Sequence, residues 1–260
     1  MSALARRLDA AIALGEEAGR LALRLRPPPG APVASLKGAQ DWLTEADGAV
    51  ESALAEALAA QFPTDGFQGE ETGHGRDGRL RWVVDPIDGT SNYARGSGRF
   101  CVSIGLIEDR QPLLGVLVAP ALGEVFAARQ GHGATLNGAP IRAAETTDLS
   151  RAAVECGWSP RRPNTAFFAL AQGVMGSGAM LRAGGSGALG LADVAAGRID
   201  AYAELHINLW DVAAALAILA EAGAVVSDFM AGDGPVRGNP ILAAAPGVAA
   251  ALTAITGIGG

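Results

Sequence analysis

Trp82-Val83-Val84-Asp85-Pro86-Ile87-Asp88-Gly89-Thr90 is the stretch whose reading decides both the fold and the chemistry. Val83 and Val84 read as a buried strand. Pro86 has no amide proton and stops regular ladder pairing, while Gly89 frees the backbone for close approach to a ligand. Asp85 and Asp88 therefore end one apolar run together and can converge on cations. The amides from Gly89 onward can open a helix and meet an anion. That order of groups suits metal-assisted phosphate chemistry.

The chain has 260 residues, enough for one compact unit or two tightly joined lobes. Hydrophobic residues make up 49%, yet no uninterrupted apolar span has the length a bilayer requires. The N-terminal Met1-Ser2-Ala3-Leu4-Ala5-Arg6-Arg7-Leu8-Asp9 is mixed in charge and lacks a signal peptide's apolar core, so a soluble, cytoplasmic protein is expected. Cys101 and Cys156 are far apart and read as small buried hydrophobes rather than a disulfide or a zinc pair. A net charge of -7 argues against a basic footprint for nucleic acid or an anionic membrane. It does not argue against an anionic substrate, because bound divalent cations reverse the local sign of an acidic pocket. Arg6-Arg7 and Arg161-Arg162 are isolated pairs that read as solvated surface.

Helices and strands alternate without a repeat. Apolar spacing predicts a helix over residues 4–25, stopped by Pro27-Pro28-Pro29, and a second over 44–61. Strands are predicted at 80–84, 100–107, 113–118 and 124–128, with hairpins marked by glycine and Asn-Gly turns between Gly131 and Gly138. After about Ala144 the texture changes to shorter elements: strands at 152–156, 179–182 and 199–204, and helices over 165–175 and 209–222. Two lobes follow, 1–143 carrying most of the acidic motifs and 144–260 carrying Asp211 at a helix start.

Each acid also has a purely structural reading. Asp47 sits near a helix start, where the macrodipole favours an acid. Glu70 and Glu71 fit a solvated loop, and Asp211 fits a helix cap. Four acidic motifs in one ordered set favour a site. Carboxylates without convergent histidines or thiolates suit magnesium or manganese rather than zinc or copper. His74, His132 and His206 have no ligand spacing.

Four segments carry a family resemblance: Asp41-Trp42-Leu43-Thr44-Glu45-Ala46-Asp47, Gly69-Glu70-Glu71-Thr72, the stretch from Asp85 to Thr90, and Leu209-Trp210-Asp211-Val212-Ala213-Ala214, with Leu136-Asn137-Gly138 as a middle turn. In type and order they resemble the inositol monophosphatases, within the fructose-bisphosphatase-like superfamily of metal-dependent, lithium-sensitive phosphatases. The resemblance spans about Ser2 to Ala249. It implies an α/β fold of five layers, α/β/α/β/α, and a homodimer. It places Glu70, Asp85 and the Ile87 carbonyl around one magnesium, and Asp85, Asp88 and Asp211 around a second, in a site of two or three ions. Gly185, Ser186 and Glu204 then surround the substrate alcohol.

The implied reaction is in-line attack of water on a phosphate monoester. Thr90, backed by Asp47 and supported by Glu70, is the candidate to orient and deprotonate that water. The amides of Gly89 and Thr90 would hold phosphate oxygens. The expected substrate is a small phosphorylated polyol, myo-inositol 1-phosphate first, with an amino alcohol phosphate, histidinol phosphate, as runner-up.

Other readings compete. Gly185-Ser186-Gly187-Ala188-Leu189-Gly190 matches a dinucleotide fingerprint, but Arg182 is expected to interrupt the preceding strand and the acidic motifs would go unexplained. A phosphoaspartate mechanism needs aspartates two apart, whereas Asp85 and Asp88 are three apart. A non-enzymatic protein using the phosphate site as a sensor would not need Asp47, Glu70, Asp85, Asp88, Thr90 and Asp211 all in place. Two departures from the family pattern stand out, the glycine-rich Ala94-Arg95-Gly96-Ser97-Gly98-Arg99 and Ala215 after the Trp-Asp motif. Lys37 is a candidate neighbour of the phosphate.

Overall fold

The computed structural model of the chain describes residues 2–28 and 45–259, and the backbone of 35–38 and 41–43. Helix α1 (Ala3–Leu25) opens where the Ser2 hydroxyl accepts the Ala5 amide at 3.1 Å, and it ends at the proline run. A hairpin of β1 (Ser35–Gly38) and β2 (Asp41–Leu43) precedes α2 (Glu45–Gln61). Lys37 and Thr44 lie outside the residues whose side chains are described.

The first large segment supplies β3 (Gly66–Gly69), β4 (Gly73–Arg76), β5 (Leu80–Asp88), the short helix α3 (Thr90–Ala94), β6 (Cys101–Glu108), β7 (Gln111–Ala119), β8 (Glu124–Arg129), β9 (Ala134–Leu136) and β10 (Ala139–Ile141). Its strands form one eight-stranded sheet in the order β10-β9-β8-β7-β6-β5-β3-β4, antiparallel except between β3 and β5. After a 3₁₀ turn (Leu149–Arg151) come β11 (Ala153–Cys156), α4 (Asn164–Gly176), β12 (Met180–Arg182), α5 (Gly187–Ala195), β13 (Ala201–Ile207), α6 (Leu209–Glu221), β14 (Val225–Val226), α7 (Gly234–Arg237), β15 (Asn239–Ala244) and α8 (Pro246–Thr256). These build a five-stranded sheet in the order β12-β11-β13-β15-β14.

The layers follow from which faces are apolar. On β5, Trp82 and Val84 join the core under α1 and α2, while Val83 points the other way, into the core shared with α5 and α6. That middle core includes Leu117, Phe126, Tyr202 and Ile241, so α5 and α6 fill the space between the two sheets. The far face of the small sheet is covered by α4 and α8 through Val154, Leu170, Val174, Val248 and Leu252. This is the expected five-layer α/β/α/β/α sandwich.

Helix α6 lies in backbone contact with the large sheet. A Cβ added to Gly115 would stand 2.6 Å from the carbonyl carbon of Ala214, and one on Gly105 would stand 2.8 Å from that of Ala213. The alanine run 213–215 and the two strand glycines therefore fix the height of α6, and with it the reach of Asp211. Ala215 is fully buried, which makes it a packing residue.

Most expected elements form, with shifted ends. Strand β5 runs beyond Val84 to Asp88, but its pairing with β6 breaks register between Asp85 and Asp88, as Pro86 requires. Asn137 and Gly138 take positive φ in the two-residue turn between β9 and β10. One expectation is corrected: Arg182 does not interrupt the strand before the glycine motif. As the last residue of β12 it pairs with Glu155 of β11, and β12 is an edge strand whose partly exposed side chains tolerate an arginine.

Candidate active site

Asp85, Asp88 and Asp211 each offer a carboxylate oxygen, and these atoms lie within 4.8 Å of one another. The break in the β5 ladder creates the first two: Asp85 accepts the Ile87 amide at 2.9 Å, a tight turn that brings Asp88 round to the same side. Asp211 is the third residue of α6 and accepts the Asn208 amide at 2.8 Å, so it both caps the helix and completes the cluster. Asp88 accepts the Ser186 hydroxyl and, at 3.2 Å, the Ala188 amide, which ties it to the start of α5.

The other predicted residues surround this cluster. Glu70 follows β3, with its amide bonded to the Val84 carbonyl at 3.2 Å, and its charge acts on Asp85. Asp47 is 1% exposed in the first turn of α2. Thr90 opens α3, with its hydroxyl 2.9 Å from the Ile87 carbonyl and 3.5 Å from Asp47 Oδ1. The Ile87 carbonyl thus already has one donor and keeps a second lone pair. Gly89 has φ 87°, and a Cβ there would stand 3.0 Å from the Arg99 carbonyl and 3.1 Å from Ser186 Cβ. Only glycine allows α3 and the Ser186 loop to approach this closely.

Like charges in a dry setting hold on to protons. Burial, followed by the charges of Glu70, Asp88, Asp211 and Asp47, pushes Asp85 well above the usual carboxylate range. Burial raises Asp88 to about 6 against the opposing hydrogen bonds from Ser186 and Ala188. Burial and then Asp88 raise Asp211 to about 7. Hard oxygen donors under this repulsion fit a divalent cation, which would relieve it. The histidines stand apart: His74 pairs with Asp77 at 2.8 Å, and none joins the cluster. Both cysteines are buried and unpaired.

Beside the cluster opens a cleft of about 480 Å³ lined by Asp88, Asn92, Ser186, Tyr202, Glu204 and Asp211, among others. Gly185 borders it with φ 74°, packed on the Asn92 amide. Glu204 is buried and accepts the Tyr202 hydroxyl; burial raises it to about 7 even though that bond opposes the rise. The glycine motif does form a strand, turn and helix, as a dinucleotide site would. However, the start of α5, where a pyrophosphate would sit, is filled by the Asp88 carboxylate. Gly190 also packs on the Tyr202 ring, where a Cβ would meet Cδ2 at 2.5 Å.

Sequence reasoning missed Glu51, Asn92, Arg99, Glu155, Asp193 and Tyr202. Glu51 carried a readable signal, since it lies one turn after Asp47 between the apolar Val50 and Leu54. The others meet only through tertiary contacts.

Fold and site together define a layered α/β protein with a carboxylate cluster that could hold a cation at the edge of a cleft. The model of the inositol monophosphatase family matches residues 4–256, and the chain belongs to that family. Members are metal-dependent phosphatases that act on phosphorylated small molecules. Nus factor SuhB of Xylella fastidiosa is 40% identical over 201 residues, covering 76% of this chain and 73% of that protein. An inositol monophosphatase from Anabaena superposes with a TM-score of 0.84 at 32% identity, covering 98% of this chain and 96% of that one. The extragenic suppressor protein suhB from Bartonella henselae gives 0.89 at 28% identity, covering 96% and 98%. Among the described residues, no helix is long and apolar enough to cross a membrane.

Proposed function

We propose that the protein hydrolyses small phosphate monoesters with magnesium, with myo-inositol 1-phosphate as the preferred substrate. The observation that carries this reading is the meeting of Asp85, Asp88 and Asp211 beside a cleft that also holds Ser186 and Glu204. Glu70, Asp85 and the Ile87 carbonyl would hold one ion and Asp85, Asp88 and Asp211 a second, with manganese able to replace magnesium. Bound divalent ions would neutralise the carboxylates, draw charge from the phosphoryl group and make water a better nucleophile.

The protein's own groups do the rest. Thr90 can accept a hydrogen bond from the attacking water and, by turning its hydroxyl from the Ile87 carbonyl to Asp47, pass its proton on, which orients that water and gives its proton a route away. Glu70, whose charge acts on Asp85, would support that proton transfer. The amides of Gly89 and Thr90 would meet a phosphate at the opening of α3, where the cap residue offers no side chain to compete. Ser186 keeps Asp88 turned toward the cluster. Glu204, held on one oxygen by Tyr202, keeps the other for a substrate hydroxyl, and Gly185, packed on the Asn92 side chain, borders the same cleft.

Histidinol phosphate is the runner-up, since a carboxylate also pairs with an amine. The relatives named Nus factor support a second reading, a binding or regulatory protein that keeps the phosphate site without turnover. Phosphate release should be measured with magnesium across inositol phosphates, glycerol 2-phosphate, histidinol phosphate, fructose 1,6-bisphosphate and adenosine 3′,5′-bisphosphate. The highest kcat/KM is expected for myo-inositol 1-phosphate. A dominant histidinol phosphate or bisphosphate rate would sink the inositol assignment, and no release from any ester would favour the binding protein. Lithium inhibition that competes with magnesium and a homodimer in sedimentation are expected from the same reading.

A further inference from the structure

Arg99 closes the glycine-rich loop after α3 and reaches across the molecule. Its guanidinium donates to both oxygens of Glu155 on β11, at 2.9 and 3.1 Å, and to Asp193 on α5 at 2.9 Å. Asp193 also takes Arg198 at 3.3 Å, and Arg198 pairs with Glu124 on β8, so a chain of charges runs from the small sheet through α5 to the large one. Glu155 is 1% exposed and lines the floor of the cleft. Arg99 is the cation paired with it among the described residues.

The same residue is tied down through its backbone. The Asn92 amide donates to the Arg99 carbonyl and to the Gly184 carbonyl, both at 2.8 Å. Arg99 Nε is buried without a hydrogen-bond partner and lies against the bare Cα of Gly184, where any Cβ would collide with it and would stand 2.5 Å from Glu155 Oε1. Asn92, Arg99, Glu155 and Gly184 thus form one knot between the α3 turn and the loop that leads to Ser186.

We propose that Arg99 is a positioning residue that sets the spacing between the α3 turn and the Gly184–Ser186 loop, and thereby seats the substrate between them. The seating role rests on the reading of the cleft as the substrate site; the clamp itself does not. Without Arg99, Glu155 becomes a buried carboxylate with no cation against it at the cleft floor, and the loop loses its stop. A charged substrate would then meet an extra negative charge and a wider gap.

The test uses the full chain with Arg99→Met, Arg99→Lys and Glu155→Gln. Hydrogen exchange by mass spectrometry should show residues 94–100 and 183–190 exchanging about tenfold faster or more in Arg99→Met, with the sheet strands unchanged, because opening is local. With magnesium and myo-inositol 1-phosphate, KM should rise about tenfold and kcat change less, within the hundredfold that an ångström-scale misplacement can cost. Arg99→Lys, which keeps the charge but not the fork, should fall between wild type and Arg99→Met, and Glu155→Gln should move KM in the same direction. If Arg99→Met does not fold, these two variants decide. Loop exchange as slow as in wild type overturns the clamp, and faster loop exchange with an unchanged KM overturns the seating role. A wild-type protein that cleaves no monoester sinks the phosphatase reading, while the exchange measurement still decides the clamp.

Discussion

The carboxylate of Glu51 occupies the space where a side chain on Gly69 would lie: a Cβ there would stand 2.5 Å from Glu51 Oε1. Glu51 is buried on α2 and accepts the Glu71 and Thr72 amides at 2.9 and 2.8 Å, so it grips the turn that carries Glu70. Gly69→Ala should therefore destabilise the protein by about 1–3 kcal/mol, the usual cost of overpacking. Because the Glu70 turn must shift to make room, the magnesium dissociation constant by calorimetry should also rise. A variant as stable as wild type in urea unfolding would show that Glu51 moves aside freely.

Asp88→Asn should remove phosphatase activity by at least about a hundredfold, the upper range for loss of a supporting group alone, if Asp88 is the direct ligand proposed above. The chain should stay folded, because an asparagine oxygen can still accept from Ser186 or Ala188 and one of three crowded charges is gone. Circular dichroism and magnesium titration check this, and full magnesium-dependent turnover by the folded variant would reject Asp88 as a ligand.

Thr90→Ala should lower kcat by about 10²-fold, the lower range for a proton-handling group, with little change in KM. The hydroxyl lies between Asp47 and the Ile87 carbonyl rather than in the wall of the cleft. A variant that shows only weaker substrate binding would make Thr90 a phosphate contact instead.

Stability without metal should fall as pH rises. Asp88, Asp211 and Glu204 titrate at about 6, 7 and 7 in the folded chain, above their ordinary values of 3.8, 3.8 and 4.5. The folded state therefore binds more protons than the unfolded state across this window, and its stability is highest below about pH 4 as far as these groups decide it. That contribution is lost as pH rises through 6 to 7. With a chelator, Tm should drop between pH 5 and 8, and magnesium should restore most of it at pH 8 by replacing the protons. A Tm that rises over this interval with the chelator present would contradict the raised values.

The five-layer stacking and the ligand sets are implied by the family resemblance; the amino-acid order by itself determined the main helices and strands and the acids able to meet a cation. These depend on local signals: Pro86 breaking a strand, Gly89 freeing a turn, and an acid at the start of an apolar helix, each readable from neighbours in the chain. Glu204 is expected near the substrate only through the same resemblance, because nothing within a few residues of Glu204 marks it out. Only the tertiary structure decided that the glycine motif is no dinucleotide site, since Asp88 fills the start of α5 from 98 residues away. The same holds for Arg99, Glu155 and Asp193, charged residues that look like ordinary surface in the sequence and become a clamp through contacts 56 and 94 residues apart. Burial creates their significance: a charge in water needs no partner, whereas a charge in the core must have one, and which one it has depends on how the layers stack.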